Sequence, residues 1–110
     1  MNTYLGGIKN WARLATKANW SASALARNCH VSLRTLERYF IKELDQSPKK
    51  WLKEQRQREG LRLLREGSGV KQVAALLGYS HANQFSRDFK EHWGFTPSDA
   101  SQPQTIEKRT

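Results

Sequence analysis

The stretch Leu36-Glu37-Arg38-Tyr39-Phe40-Ile41-Lys42-Glu43-Leu44-Asp45-Gln46-Ser47-Pro48 returns 49 residues later as Phe85-Ser86-Arg87-Asp88-Phe89-Lys90-Glu91-His92-Trp93-Gly94-Phe95-Thr96-Pro97. The bulky apolar positions, one arginine and the closing Ser/Thr-Pro pair coincide. Upstream, Leu25-Ala26 and Val31-Ser32 correspond to Val73-Ala74 and Tyr79-Ser80 at a displacement of 48, so the second copy carries one additional residue ahead of its helix. Recurrence at a fixed offset is the first organising signal in a sequence. Two copies spanning most of the chain indicate a duplicated helical module, not a solenoid.

Each copy reads as helix, tight turn, helix. In the first, Ser21 caps a short helix through Ala22, Leu25 and Ala26 to about Asn28, a turn follows at Cys29 to Val31, and Ser32 caps a longer helix. The apolar residues Leu33, Leu36, Phe40 and Leu44 form the core stripe of that longer helix. In the second, Val70 to Leu77 is the short helix with Val73, Ala74 and Leu77 inward, Gly78 makes the turn, and Ser80 begins a helix to about Trp93. A supporting helix from about Tyr4 to Lys17 precedes them, with Leu5, Ile8, Ala12 and Ala15 at helical spacing and Trp11 beside them.

Between the copies, Ser47-Pro48 starts a helix that reaches Arg65, apolar at its ends and polar from Lys53 to Glu59, as a connector between two small cores requires. Gly67-Ser68-Gly69 ends it. Thr96-Pro97-Ser98-Asp99 has the cap, proline and acidic third residue of one last helical turn. The organisation expected is therefore 1–46 for the first subdomain, 47–66 for the linker helix, 67–100 for the second subdomain, and 101–110 as a disordered tail. No stretch alternates like a strand, so the fold class is all-α.

A chain of 110 residues holds one compact domain or two very small ones, which excludes a multi-domain enzyme. Lys and Arg number 19 against 10 Asp and Glu, a formal net charge of +9 that suits a polyanion. The longest nearly apolar run, Val73 to Tyr79, falls far short of the roughly 20 residues of a membrane span. Met1 to Gly7 do not form an export signal, so a cytoplasmic, nucleoid-associated location is expected, with no membrane partner. One cysteine and three scattered histidines offer no zinc site, no cofactor is implied, and Cys29-His30 lacks any further catalytic group.

The chemistry lies on the outer faces of the two longer helices. At about 100° per residue, Leu36, Phe40 and Leu44 turn inward and leave Arg34, Thr35, Arg38 and Lys42 outside, while Phe85, Phe89 and Trp93 leave Asn83, Gln84, Arg87 and, at the side, Lys90. Arginine pairs bidentately with guanine, and Asn or Gln with adenine, in a major groove that admits a helix. An ordinary solvated face is the alternative for one such helix. Two of them in a strongly basic chain point to binding.

The run Val73-Ala74-Ala75-Leu76-Leu77-Gly78-Tyr79-Ser80, followed by Phe85-Ser86-Arg87-Asp88-Phe89-Lys90 and Gly94-Phe95-Thr96-Pro97, resembles the signature of AraC/XylS-type transcription regulators. The first unit, Leu25-Ala26 through Val31-Ser32 to Leu36-Glu37-Arg38-Tyr39-Phe40, is similar to that family's first helix-turn-helix, and the resemblance covers about Tyr4 to Ala100. It implies a seven-helix domain whose two recognition helices, near 32–44 and 80–93, enter adjacent major grooves of double-stranded DNA. The family's base-reading positions fall on Arg34, Thr35, Glu37 and Arg38, and on Ala82, Asn83, Gln84 and Arg87. RNA polymerase is a further partner that the resemblance allows. The fragment is expected to be monomeric, with any effector or dimerisation domain outside it.

Phosphate contacts are expected from Lys49 and Lys50, whose charge opposes the linker helix dipole unless an anion is near, and from Arg56, Lys71 and Gln72. Ser32, Lys42, Ser80, His81 and Lys90 complete that set. The aromatic residues Trp11, Trp20, Trp51, Trp93, Phe40, Phe85 and Phe89 sit at core spacing and are read as packing, not as stacking platforms for unpaired bases. Because equivalent outer positions carry Arg34 and Asn83, Thr35 and Gln84, or Lys42 and Glu91, the two units should prefer different bases: guanine at the first helix, adenine at the second.

Three positions depart from the family's pattern. His30 stands where the second unit has Gly78, Gly60 stands where the linker helix commonly has alanine, and Ala100-Ser101 replaces the usual Tyr-Arg. They predict a strained first turn, a weakened linker helix unless close packing compensates, and a short last helix. Two other classes of function fit a basic helical chain: a protein-interaction adaptor for an acidic partner and an RNA-binding module.

Overall fold

The computed structural model describes residues 10–100 together with Leu5, Gly7 and Ile8. Beyond the helical residue Leu5, seven helices follow one another among the described residues without a strand: α1 Trp11–Lys17, α2 Ala22–Asn28, α3 Leu33–Leu44, α4 Pro48–Arg65, α5 Val70–Leu76, α6 Ala82–Trp93 and α7 Pro97–Ala100. They form two compact units, 1–56 and 57–110, so that α4 contributes its first half to one and its second half to the other.

Side chains set most of the starts. Asn10 accepts a hydrogen bond from the Arg13 amide (2.9 Å), Ser21 from Ala24 (3.2 Å), Ser32 from Thr35 (3.1 Å) and Ser47 from Lys50 (3.1 Å), each satisfying one of the amides a helix leaves free at its first turn. At α7 the cap is reciprocal. The Thr96 amide donates to Asp99 Oδ2 and the Asp99 amide to Thr96 Oγ1, both at 3.2 Å. The Thr96 hydroxyl, then its amide, hold the Asp99 carboxyl below its ordinary value.

In the first unit α1 packs on α2 and α2 on α3. Leu5, Ala15, Ala18, Leu25, Ala26, Cys29, Leu36, Phe40 and Leu52 make one buried cluster. Trp11 and Trp51 close it, with ring centroids 5.0 and 5.4 Å from Phe40. In the second unit α5 packs on α6 and α6 on α7. Leu64, Val73, Ala74, Leu77, Phe85 and Phe89 are buried there, with Phe85 and Phe89 5.5 Å apart.

Three expectations change. The expected supporting helix is interrupted: Leu5 is helical, but Gly7 lies in a turn and Asn10 caps a new start at Trp11; Leu5 and Ile8 pack from outside that helix, Ala12 faces solvent, and the expected start at Tyr4 lies outside the described residues. Leu33 and Leu44 are not core residues: they are 38% and 41% exposed. Successive steps of four residues advance about 40° around the axis, so a stripe centred on Leu36 and Phe40 has rotated out of the core by Leu44. Helix α6 starts at Ala82 with His81 as N-cap, not at Ser80. His81 is the residue 49 after Ser32, which makes Ser80 the additional residue of the second copy. The tail at 101–110 lies outside the described residues.

The turns explain the departures. His30 has φ +62° where Gly78 has +84°, so histidine adopts the left-handed conformation that glycine supplies freely. Gly60 is buried, and a Cβ there would lie 3.0 Å from Phe85 Cε1 and 3.1 Å from Leu77 Cδ1. Close packing therefore favours glycine at this point of α4, since a Cβ would have to displace the Phe85 ring or the Leu77 methyl by a few tenths of an ångström.

Two substitutions test these statements by urea denaturation. His30→Gly relieves about 1–2 kcal/mol of left-handed strain against an unfolded-state entropy cost of about 0.4–1 kcal/mol, and is expected to raise stability by about 0.5–1 kcal/mol; a decrease would show that the imidazole is held by something else. Gly60→Ala gains about 1 kcal/mol of helix propensity but overpacks a fully buried Phe85 for about 1–3 kcal/mol. A net loss near 1 kcal/mol is expected, and a gain would mean that the ring yields.

Candidate nucleic-acid interface

Burial of Leu36 and Phe40 fixes which side of α3 faces outward. Arg34, Glu37 and Arg38 are exposed, and Thr35 is half-buried, its hydroxyl accepting from Ser32 Oγ at 3.0 Å. The helix therefore brings together the first unit's predicted readers but draws Thr35 into its cap. Arg34, Glu37, Arg38, Ile41 and Lys42 line one open concavity of about 420 Å³. Ile41 was not legible as a site residue from charge or hydrogen-bonding capacity; its signal was an aliphatic side chain on the polar side of the wheel.

On α6 the same logic exposes Asn83, Gln84 and Arg87, with Ala82 half-buried beside them. This helix has no side-chain cap; the Gln84 amide instead donates to the His81 carbonyl at 3.1 Å. A part-buried relay ties α6 to the turn before it. Gln57 Nε2 donates to the Tyr79 hydroxyl (2.7 Å), which donates to Asp88 Oδ2 (3.0 Å), next in sequence to Arg87. Trp93 Nε1 donates to the Gln57 carbonyl at 3.2 Å, and Gln57 Oε1, fully buried, has no hydrogen-bond partner. A polar stretch of α4 thus holds one residue that belongs to the second core, which the run Lys53 to Glu59 concealed.

Of the predicted phosphate contacts, Ser32, Lys42, Lys49, Lys50, Lys71, Gln72, Ser80, His81 and Lys90 are exposed, whereas Arg56 is half-buried. Lys49 and Lys50 lie in the first turn of α4. Helices α1 to α6 all lack an acidic residue in the first turn, where one would stabilise the helix dipole. The helix starts are left electropositive.

Other chemistry is disfavoured by geometry. Cys29 is buried, and that burial pushes its thiol up, away from the thiolate a nucleophile needs, while the adjacent His30 is exposed. Every Trp, Phe and Tyr among the described residues is buried or half-buried, so they offer packing surfaces instead of open platforms for unpaired bases. No helix among the described residues is long and apolar enough to cross a membrane.

Comparison with known proteins agrees with this geometry. A family model described as a helix-turn-helix domain matches residues 25–102. The HTH-type transcriptional activator RhaS of Escherichia coli is 32% identical over 89 residues, covering 80% of this chain and 31% of RhaS. The HTH-type transcriptional regulator RipA of Corynebacterium glutamicum is 37% identical over 68 residues, covering 62% of this chain and 20% of RipA. The chain therefore spans a third or less of these curated relatives. Among solved structures, a transcriptional regulator from Chromobacterium violaceum, of the AraC-type DNA-binding domain-containing proteins, superposes with a TM-score of 0.69 at 27% identity over 81% of this chain and 83% of that one. The C-terminal domain of the two-component response regulator yesN from Fusobacterium nucleatum shares the fold, with a TM-score of 0.75 at 20% identity over 91% of this chain and 99% of that one.

The relay behind α6 is open to direct test. Tyr79→Phe removes both hydrogen bonds at once and leaves the Gln57 amide buried without an acceptor, so a loss of about 1–3 kcal/mol is expected from the urea midpoint with helicity retained. Unchanged stability would show that the relay does not hold α6.

Proposed function

Because the chain belongs to the AraC-type helix-turn-helix family, we propose that it is a sequence-specific double-stranded DNA-binding transcription regulator that acts by binding, without catalysis. The observation that carries this reading is the paired outer faces: Arg34, Glu37 and Arg38 on α3, Asn83, Gln84 and Arg87 on α6, each exposed on a helix anchored by two buried apolar residues. Guanidinium and carboxamide groups are the donors that distinguish base pairs in the major groove. A net charge of +9 and helix starts without acids supply the sequence-independent attraction to phosphate.

The two helices enter successive major grooves, about 34 Å apart on one face of the duplex. Lys49, Lys50, Lys71, Gln72, Ser80, His81 and Lys90 fix the register through the backbone, together with Ser32, Lys42 and Arg56. Arg34 and Arg38 favour guanine in the first half-site, and Asn83 and Gln84 favour adenine in the second, so a single chain covers one asymmetric element. Recruitment or obstruction of RNA polymerase is the route to regulation. The buried and half-buried aromatic residues tell against the RNA module, and nothing observed favours an adaptor.

Selection of bound duplexes from a random library, followed by footprinting, tests the reading. An asymmetric site is expected, bound orders of magnitude more tightly than random duplex and more weakly as salt rises. Arg38→Ala is expected to relax preference in one half-site and Arg87→Ala in the other, each by about 1–3 kcal/mol of discrimination. Equal binding to a perfect inverted repeat of either half-site, or retention of full preference by both variants, would overturn it.

A further inference from the structure

Ile41 is the anomaly of the outer face of α3. Its side chain is 55% exposed on a helix whose buried side is already supplied by Leu36 and Phe40. At about 100° per residue it falls within about 20° of Arg34 around the axis and about 60° from Arg38, at the middle of the polar face. Leu33 and Leu44, also exposed, lie instead at the edge of the buried stripe. Ile41 shares its concavity with Arg34, Glu37, Arg38 and Lys42. An aliphatic group surrounded by charges has no hydrogen bond to make there and apolar contact to gain only from whatever fills the concavity.

The repeat provides the internal comparison. The position 49 residues on is Lys90, exposed at the side of α6. One reading head therefore has a cation where the other has a branched hydrocarbon, while Arg38 and Arg87 are the same in both. A surface flanked by Arg34, Arg38 and Lys42 attracts a polyanion. The apolar group that a base presents in the major groove is the 5-methyl group of thymine.

We infer that Ile41 is a specificity-determining residue that selects thymine in the first half-site by packing against that methyl group. The inference rests on the DNA-binding reading given above. Seven residues separate Ile41 from Arg34, about 10 Å along the helix, so the thymine lies within about three base pairs of the base that Arg34 reads.

The test uses the 110-residue chain and the duplex selected from a random library. Each thymine of the α3 half-site, on either strand, is replaced singly by deoxyuridine, which deletes the methyl group and leaves every hydrogen-bonding group in place. At one thymine the unsubstituted protein is expected to lose about fourfold in affinity, the scale of one buried methyl group. Ile41→Ala is expected to bind the thymine duplex several-fold more weakly and to show no further loss with deoxyuridine at that position. Ile41→Val keeps part of the sensitivity, and Arg38→Ala keeps it all.

An exposed side chain can be changed without disturbing the core, and an unaltered urea midpoint and helicity of Ile41→Ala check that the variant is intact. If no thymine responds, or if Ile41→Ala responds as the unsubstituted protein does, the role of Ile41 is overturned while DNA recognition stands. If Ile41→Ala binds the selected duplex with full affinity, Ile41 does not contact DNA. If no duplex is enriched at all, the DNA-binding reading fails and this inference fails with it.

Discussion

The complete burial of two apolar residues one helical turn apart, Leu36 with Phe40 and Phe85 with Phe89, is the constraint on which this structure depends. Helices α1, α2 and α5 have seven residues each, well below the roughly 12–15 residues at which an isolated helix becomes even marginal in water. They persist because Ala15, Leu25 and Ala26 in one unit, and Val73 and Ala74 in the other, are buried in cores to which the longer helices contribute Leu36, Phe40, Phe85 and Phe89. Fixing the inner side of α3 and α6 also fixes the outer side. What faces the solvent is a consequence of what fills the core, and the residues proposed to read bases are held by packing they do not themselves make.

That coupling explains why so much was legible in the sequence. The Ser21, Ser32, Ser47 and Thr96 caps each act through one side chain and one nearby amide, so local chemistry alone placed four helix starts. Inner and outer faces followed from helical period, and the outward Arg34, Arg38, Asn83, Gln84 and Arg87 followed from the faces. The failures at Gln57, Gly60 and Leu44 share a cause, which is dependence on groups distant in sequence. Gln57 reads as surface because the tyrosine that binds its amide lies 22 residues away. Gly60 reads as a weak point because the Phe85 ring that crowds a Cβ there belongs to another helix. Leu44 reads as core because the wheel ignores where the opposing surface ends.

The start of α6 shows how one additional residue propagates. In the first unit Ser32 is both the end of the turn and the cap, and its hydroxyl engages the Thr35 amide and hydroxyl together. In the second unit Ser80 intervenes, the cap falls to His81, and the equivalent amide, that of Gln84, is satisfied by a backbone carbonyl instead. A side chain is thereby released from structural duty. Thr35 is committed to its helix, whereas the Gln84 carboxamide takes no part in the cap. The two heads differ in which positions are available to read as well as in which residues occupy them.

Such divergence has a direction. Substitution at Leu36, Phe40, Phe85 or Phe89 would open a cavity in a core with few residues to spare, but change at an outer position costs little stability. Duplication followed by drift therefore preserves the scaffold and separates the reading faces, as the pairs Arg34 and Asn83, Lys42 and Glu91, and Ile41 and Lys90 illustrate. Symmetric dimers that use helix-turn-helix units read pseudo-palindromes because identical heads are related by a two-fold axis. Two unlike heads in one chain carry no such axis, and nothing in their chemistry asks the two half-sites to match. On the proposed reading, the information content of the site can then grow with each head independently.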